Sequence, residues 1–344
     1  MTVDAHTNAM KLFGFAQGFQ KTQALYTFTR LGLAEALDQP RSLEEVADHC
    51  QLEPSATRRL LYLAEAMGLV AKNSDQFTTT SLGAMLRMNH PQSFARRALF
   101  FGEPFTWGAW GKLSDCLRTG ATGYELAFGA NAWEIRAEHP DTAEVFNAVM
   151  QEITQQVAPL IAMNFPFPAG SDVLDIGGGT GELIRAILHQ HSDMTGTLMD
   201  LPEVIEEAKT RKSSADIEQR LTYFAGDIFE SIPAGHGLLL LARVLHDWTD
   251  QQCITLLHKV VQAMSPDSRL LVLERVIQPD RPADPIIAMS DMTMLVGTGG
   301  HERTLQEFQA LGHAAGLHLH QVWDLPSAQA IMEYTLPNEG PDKP

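Results

Sequence analysis

The stretch Val173-Leu174-Asp175-Ile176-Gly177-Gly178-Gly179-Thr180-Gly181 constrains this chain more than any other. An apolar, strand-like run passes straight into a glycine cluster, and an amphipathic helical pattern follows through Ile187. Three adjacent glycines let the backbone turn tightly and let a ligand touch the main chain. Such a turn belongs at the carboxyl edge of the first strand of an open α/β sheet, where these sheets bind ligands.

The chain after Phe165 supports that placement. Strand-like runs at Val173–Ile176, Thr195–Met199, Leu221–Phe224, Gly237–Ala242 and Arg269–Val276 alternate with helical patterns, including one over Thr249–Met264. Repeated strand–helix units predict a mostly parallel sheet covered by helices on both faces, a doubly wound α/β domain. The first 165 residues read differently, as helix after helix. Ser42 with Glu45 forms a capping-box signature, and a helix carrying Leu60, Leu61, Leu63, Ala64 and Met67 ends at Gly68. Leu69–Ala71 and Gln76–Thr78 then flank a turn at Asn73-Ser74-Asp75. Helix, helix, hairpin is the order of a winged helix. Two domains are expected, residues 1–110 and 111–344, which suits a 344-residue chain.

The ligand expected at the glycine turn is not a dinucleotide. In the Gly-x-Gly-x-x-Gly fingerprint Gly177 and Gly179 fit, but Glu182 occupies the third glycine position. A carboxylate at a helix N-terminus would repel a pyrophosphate, so a cationic ligand without phosphate fits better. Asp200 ends the next strand, where a carboxylate can take two ribose hydroxyls. Asp227, in Gly226-Asp227-Ile228-Phe229, follows the third strand, where it can accept from an adenine amino group while Ile228 and Phe229 flank the ring.

These residues, with the blocks Asp200-Leu201-Pro202, Val244-Leu245-His246-Asp247-Trp248 and Gly299-Gly300-His301-Glu302-Arg303-Thr304, resemble the small-molecule O-methyltransferases of plant-phenolic and bacterial natural-product type over nearly the whole chain. The resemblance implies a Rossmann-like methyltransferase domain behind a winged-helix dimerisation domain. It also implies S-adenosyl-L-methionine as cofactor at Gly177, Asp200, Asp227 and Ile228. Asp175, Gly179, Leu201, Gly226, Phe229 and Arg243 complete the expected cofactor contacts. Ala242 departs from the lysine found four residues before the base in plant members.

Methyl transfer to a phenol needs a base near the hydroxyl, and histidine has a suitable pKa. His246 follows the fourth strand at the ligand-binding edge. The resemblance makes it the catalytic histidine, with Glu274 and Glu302 as supporting carboxylates that hold the imidazole tautomer. Glu274 taken alone also reads as an exposed charge at a strand end. His301 with His246 makes two histidines without a third ligand, so no metal is expected. C-methylation, or decarboxylation, hydroxylation or pericyclic chemistry on the same fold, remains an alternative.

Composition narrows the partners. Forty-two acidic residues against 25 basic ones leave a formal charge of −17, which opposes nucleic acid as a partner. The winged-helix pattern nevertheless admits a transcription regulator as a reading from another class, with Arg58 and Arg59 on its second helix. Cys50, Cys116 and Cys253 form no metal-binding or disulfide pattern. No signal peptide and no run long enough to span a bilayer is visible, so the expectation is a cytoplasmic protein without a membrane partner. Phe13, Phe15, Phe19, Leu25, Tyr26, Phe28 and Leu31 crowd apolar surface near the start, which predicts a homodimer. The substrate is expected to be a small aromatic molecule bearing a hydroxyl. Phe100, Phe101, Trp107, Trp110, Met150, Met289, Met292 and Met294 are candidates for its cleft, although most of them read as ordinary core.

Overall fold

A computed structural model describes residues 3–211, 213–325 and 329–337. The chain forms two units. One comprises the residues up to Gly108 together with His139–Val149, and the other comprises Ala109–Glu138 and Met150 onward. The helix Pro140–Asn164 gives its first turns to one and the remainder to the other.

The first unit opens with helices Val3–Ala16 and Gly18–Arg30. Strand β1 (Arg41–Ser42) leads into helix Leu43–His49, whose start carries the expected box: Ser42 Oγ accepts from the Glu45 amide and Glu45 Oε2 accepts from the Ser42 amide. Helix Pro54–Ala66 follows. Gly68, at φ +75°, ends that helical run in the left-handed region. The hairpin of β2 (Val70–Asn73) and β3 (Gln76–Thr79) comes next, and the sheet order is β1-β3-β2. Phe28, Leu33, Leu37, Val46, Leu61, Val70 and Phe77 build the core. Phe28 therefore departs from the expectation of a dimer-facing residue: it is fully buried within its own unit. Met10, Leu12, Phe13, Phe15 and Phe19, by contrast, are more than half exposed.

The second unit holds β4 (Asp172–Ile176), β5 (Thr195–Asp200), β6 (Leu221–Ala225), β7 (Leu238–Ala242), β8 (Arg269–Ile277), β9 (Arg303–Thr304), β10 (His318–Leu325) and β11 (Gln329–Thr335). The order is β10-β11-β8-β7-β4-β5-β6, with β9 beside β8. Strands β4 to β8 run parallel, while β11 pairs antiparallel with both β8 and β10. Alternate residues feed two cores. Val173, Leu238, Leu240, Leu271 and Leu273 meet the helix Glu182–Gln190 side. Leu174, Leu239, Leu241, Leu270 and Val272 meet helices Asp250–Ala263 and Leu305–Ala314. The period-two side-chain geometry of a strand covered on both faces produces this division. The antiparallel pair β10–β11 has no counterpart in the sequence reading. Strand β10 is largely polar and half exposed, so it lacks the apolar run that marked the central strands.

Candidate functional site

The residues expected to contact the cofactor gather at the carboxyl ends of the parallel strands because each ends or directly follows its strand. After β4, Gly177, Gly179 and Gly181 all adopt positive φ (+67°, +60° and +85°), a backbone that side-chain-bearing residues rarely accept. Gly178 is required for a second reason: a Cβ there would lie 2.6 Å from the Asp175 carboxyl and 2.5 Å from Leu198. The Gly177 and Gly178 amides donate to the Met199 carbonyl, which ties the turn to β5. Asp200 Oδ2 accepts from the Gly179 amide at 2.7 Å and its Oδ1 from the Leu201 amide at 2.8 Å. Gly226 donates to the Asp200 carbonyl, so β6 ends level with β5. Asp227 is exposed, and its Oδ1 accepts from the Phe229 amide at 2.8 Å. Ile228 and Phe229 rest half-buried on the adjoining core.

The cradle is acidic and partly unsatisfied. Asp175 is fully buried and neither carboxyl oxygen has a partner of normal hydrogen-bond geometry. Burial, reinforced by Asp200, pushes the Asp175 carboxyl up to about 7. Burial raises Asp200 as well. One buried carboxyl group without donors, beside a second that takes only two backbone amides, fits a cationic ligand with donor groups.

His246 sits in the single 3₁₀ turn Leu245–Asp247 after β7. Its Nδ1 faces Glu274 Oε2 at 3.4 Å and Glu302 Oε1 at 3.5 Å. Nδ1 is sealed from solvent, and neither carboxylate contact reaches hydrogen-bond geometry. Burial disfavours the imidazolium, but Glu274, Asp247 and Glu302 outweigh that effect and lift the imidazole to about 9. Glu274 is not a strand-end charge. Strand β8 continues to Ile277, and Glu274 lies within it, fully buried and opposite Ala330 of β11. Burial raises its carboxyl. Glu302 lies just before β9, where Ser290 Oγ donates to its Oε1 at 2.6 Å and Asp291 Oδ1 accepts from its amide. Net hydrogen bonds and cations hold Glu302 below the usual carboxylate range against its burial.

Arg243, at φ +58°, joins this charge cluster. Burial and Arg275 lower its guanidinium while Glu274, Asp247 and Glu302 oppose them. His301 does not pair with His246; its Nε2 faces Asp250 at 3.5 Å. Among the described residues, the group whose ligand atoms lie within 4.8 Å of one another is His246, Glu274 and Glu302. The cleft candidates also depart from expectation, since none belongs to a buried core. Phe101 and Met289 are exposed and the other six half-buried. Helix Pro285–Gly297 shows why: it is rich in apolar residues yet buries only Ile287 and Val296.

Sequence reasoning gave no role to Trp248 or Arg303, although both stand in the quoted blocks. Trp248 meets the Phe229 ring edge-on at 4.7 Å and stacks on Trp133 at 6.1 Å. Arg303 is fully buried against the His246 turn.

The chain is similar to known proteins along nearly its whole length. An O-methyltransferase domain matches residues 110–318, and an O-methyltransferase dimerisation domain matches residues 13–89. The winged-helix segment with Arg58 and Arg59 thus lies in a dimerisation domain. The mitomycin biosynthesis 6-O-methyltransferase of Streptomyces lavendulae is 34% identical over 308 residues, covering 89% of this chain and 88% of that protein. The solved mitomycin 7-O-methyltransferase superposes with a TM-score of 0.92 at 32% identity, covering 98% and 100% of the two chains. An O-methyltransferase from neocarzinostatin biosynthesis, solved with S-adenosylmethionine and 2-hydroxy-5-methyl naphthoic acid, superposes with a TM-score of 0.80 at 27% identity over 92% and 96%. Methylated atoms among the relatives include nitrogen as well as oxygen. With both family domains matched in order and relatives aligned along nearly its full length, the chain belongs to the S-adenosylmethionine-dependent O-methyltransferases.

Proposed function

We propose that this enzyme methylates a hydroxyl, phenolic in character, on a small aromatic intermediate of natural-product biosynthesis, with His246 as general base. One observation carries the reading: after β7 the buried His246 ring has Nδ1 within 3.5 Å of two buried carboxylates, Glu274 and Glu302. Aromatic natural products on relatives of this fold support the substrate class.

Bound at the glycine turn, S-adenosylmethionine supplies an electrophilic methyl on a cationic sulfur. Asp200 would take the ribose hydroxyls, and Asp227 with Ile228 and Phe229 the adenine. The Asp175 carboxyl, without donors of its own beneath the turn, would accept from donor groups of the cofactor. Nε2 accepts the hydroxyl proton as the oxygen attacks, and Glu274 and Glu302 stabilise the imidazolium that results. In the free protein those carboxylates keep the imidazole protonated at neutral pH. With a cationic cofactor bound, the same carboxylates would be partly offset and the imidazole would fall toward the range a base needs.

A second copy completes the assembly in this proposal. The dimerisation-domain match and the exposed Phe13, Phe15 and Phe19 support a homodimer. Three free cysteines suit a reducing cytoplasm.

The test is a mass-spectrometric screen of phenols with labelled cofactor, followed by His246→Ala. Turnover should fall about 10²–10⁴-fold with cofactor affinity unchanged. Raised pH should restore part of it, because a phenol of pKa about 10 ionises unaided. A chelator should leave the wild type active. Full activity of His246→Ala at neutral pH removes this residue from the mechanism.

A further inference from the structure

We propose that Arg303 is a positioning residue for His246, gripping the carbonyl side of the turn whose amide side Glu274 grips. The proposal rests on the reading of His246 as the base.

The 3₁₀ turn Leu245–Asp247 is a poor structure on its own. A single such turn has strained hydrogen bonds, and it leaves β7 through Arg243 in the left-handed region, a conformation that persists only where surroundings impose it. The imposition comes from two sides. Glu274 Oε1 accepts from the Leu245 and His246 amides at 2.8 and 3.3 Å. Arg303 Nη1 donates to the Leu245 carbonyl at 2.9 Å, and Nη2 donates to the Trp248 carbonyl at 2.8 Å. The two carbonyls bracket His246.

Arg303 is itself held. Nε and Nη2 both donate to Asp250 Oδ1, at 3.0 and 2.8 Å, and its strand β9 pairs with Val276 and Ile277 of β8. Adjacent residues on an extended backbone point to opposite sides. One short segment therefore delivers Glu302 to the imidazole and Arg303 to the carbonyls behind it. Gly300 closes the seat: a Cβ there would lie 2.1 Å from the His246 carbonyl oxygen. A planar guanidinium donates to two carbonyls and a carboxylate at once, and an ammonium on a flexible stem does not reproduce that fork.

The experiment compares wild type, Arg303→Lys, His246→Ala and the double variant, using the phenol that the wild type turns over best and nitrogen-15 NMR of the His246 imidazole. Arg303→Lys should lower kcat about 10–100-fold, the scale of a slight misplacement of a catalytic group. Cofactor affinity should hold, and the tautomer and pKa signature of His246 should change. In the His246→Ala background the same substitution should cost nothing further. Wild-type kcat in Arg303→Lys, an unaltered imidazole signature, or equal losses in both backgrounds would each overturn the proposal. Asp250→Asn, at an exposed anchor, gives the same comparison with a several-fold loss if Arg303→Lys does not fold. Full activity of His246→Ala would instead sink the base reading, while the imidazole signature would still report whether Arg303 sets the turn.

Discussion

Glu274 meets His246 twice: its Oε1 accepts the His246 backbone amide, and its Oε2 faces Nδ1 of the same residue's ring at 3.4 Å. One buried carboxylate thus shapes the turn that carries the imidazole and sets the charge beside it. The placement inside β8, rather than at its end, makes both roles rigid.

Glu274→Gln should separate the two roles. The amide oxygen can still accept the backbone donors, but the side chain loses its charge. The imidazolium loses one of its two stabilising partners, and Glu302 remains opposite Nδ1. Turnover should fall about 10–100-fold, less than for His246→Ala, with the fold and cofactor affinity kept. Steady-state kinetics with unchanged kcat would remove Glu274 from the reaction.

The raised imidazole makes pH act oppositely on stability and activity. The His246 ring is lifted from 6.5 to about 9 by its carboxylates. Its stabilising contribution is therefore full below about 6.5 and is lost as pH rises through about 9. Melting temperature of the cofactor-free protein should drop across that window, and His246→Gln should flatten the drop. Turnover at saturating cofactor should rise over the lower part of the same window as the neutral imidazole becomes populated. A melting temperature that climbs from pH 6.5 to 9 would contradict the placement of His246 between two carboxylates.

Asp200→Ala should weaken cofactor binding by about tenfold or more, since hydrogen bonds to a charged group contribute about 1.5–3 kcal/mol. The variant also frees the Gly179 amide that Asp200 holds. Calorimetry is the direct check. Undiminished affinity in the variant would move the ribose elsewhere.

Removal of residues 1–16 should give monomers or aggregates. The helix Val3–Ala16 carries exposed Met10, Leu12, Phe13 and Phe15, and a soluble monomer rarely leaves such a patch uncovered. Truncation at residue 30 would be a poorer test, because Phe28 belongs to the unit's own core. Light scattering decides the matter, and a wild-type mass of one chain would refute the homodimer.

Much of this protein was legible in its residues because the signals were local. A glycine run after an apolar strand, acids at the next two strand ends and a capping box at Ser42 each act within a few neighbours, so short sequence carries them. The order of elements likewise follows from period and length. Long-range packing decided the rest. Strand β10 was unreadable because a half-exposed strand needs no continuous apolar run, and β11 because Gln329 opens it and Glu333 interrupts its buried apolar residues. Phe28 and the methionines of helix Pro285–Gly297 look alike as apolar residues, and only tertiary contact buries one and leaves the others open. Residues 28 positions apart became a hydrogen-bonded pair at Glu274 and His246, and residues 58 apart at Arg303 and Leu245. The histidine proposed as the base was legible in the chain. The direction in which it points depends on which buried donors and acceptors reach one turn, and that depends on where the sheet brings distant strand ends together.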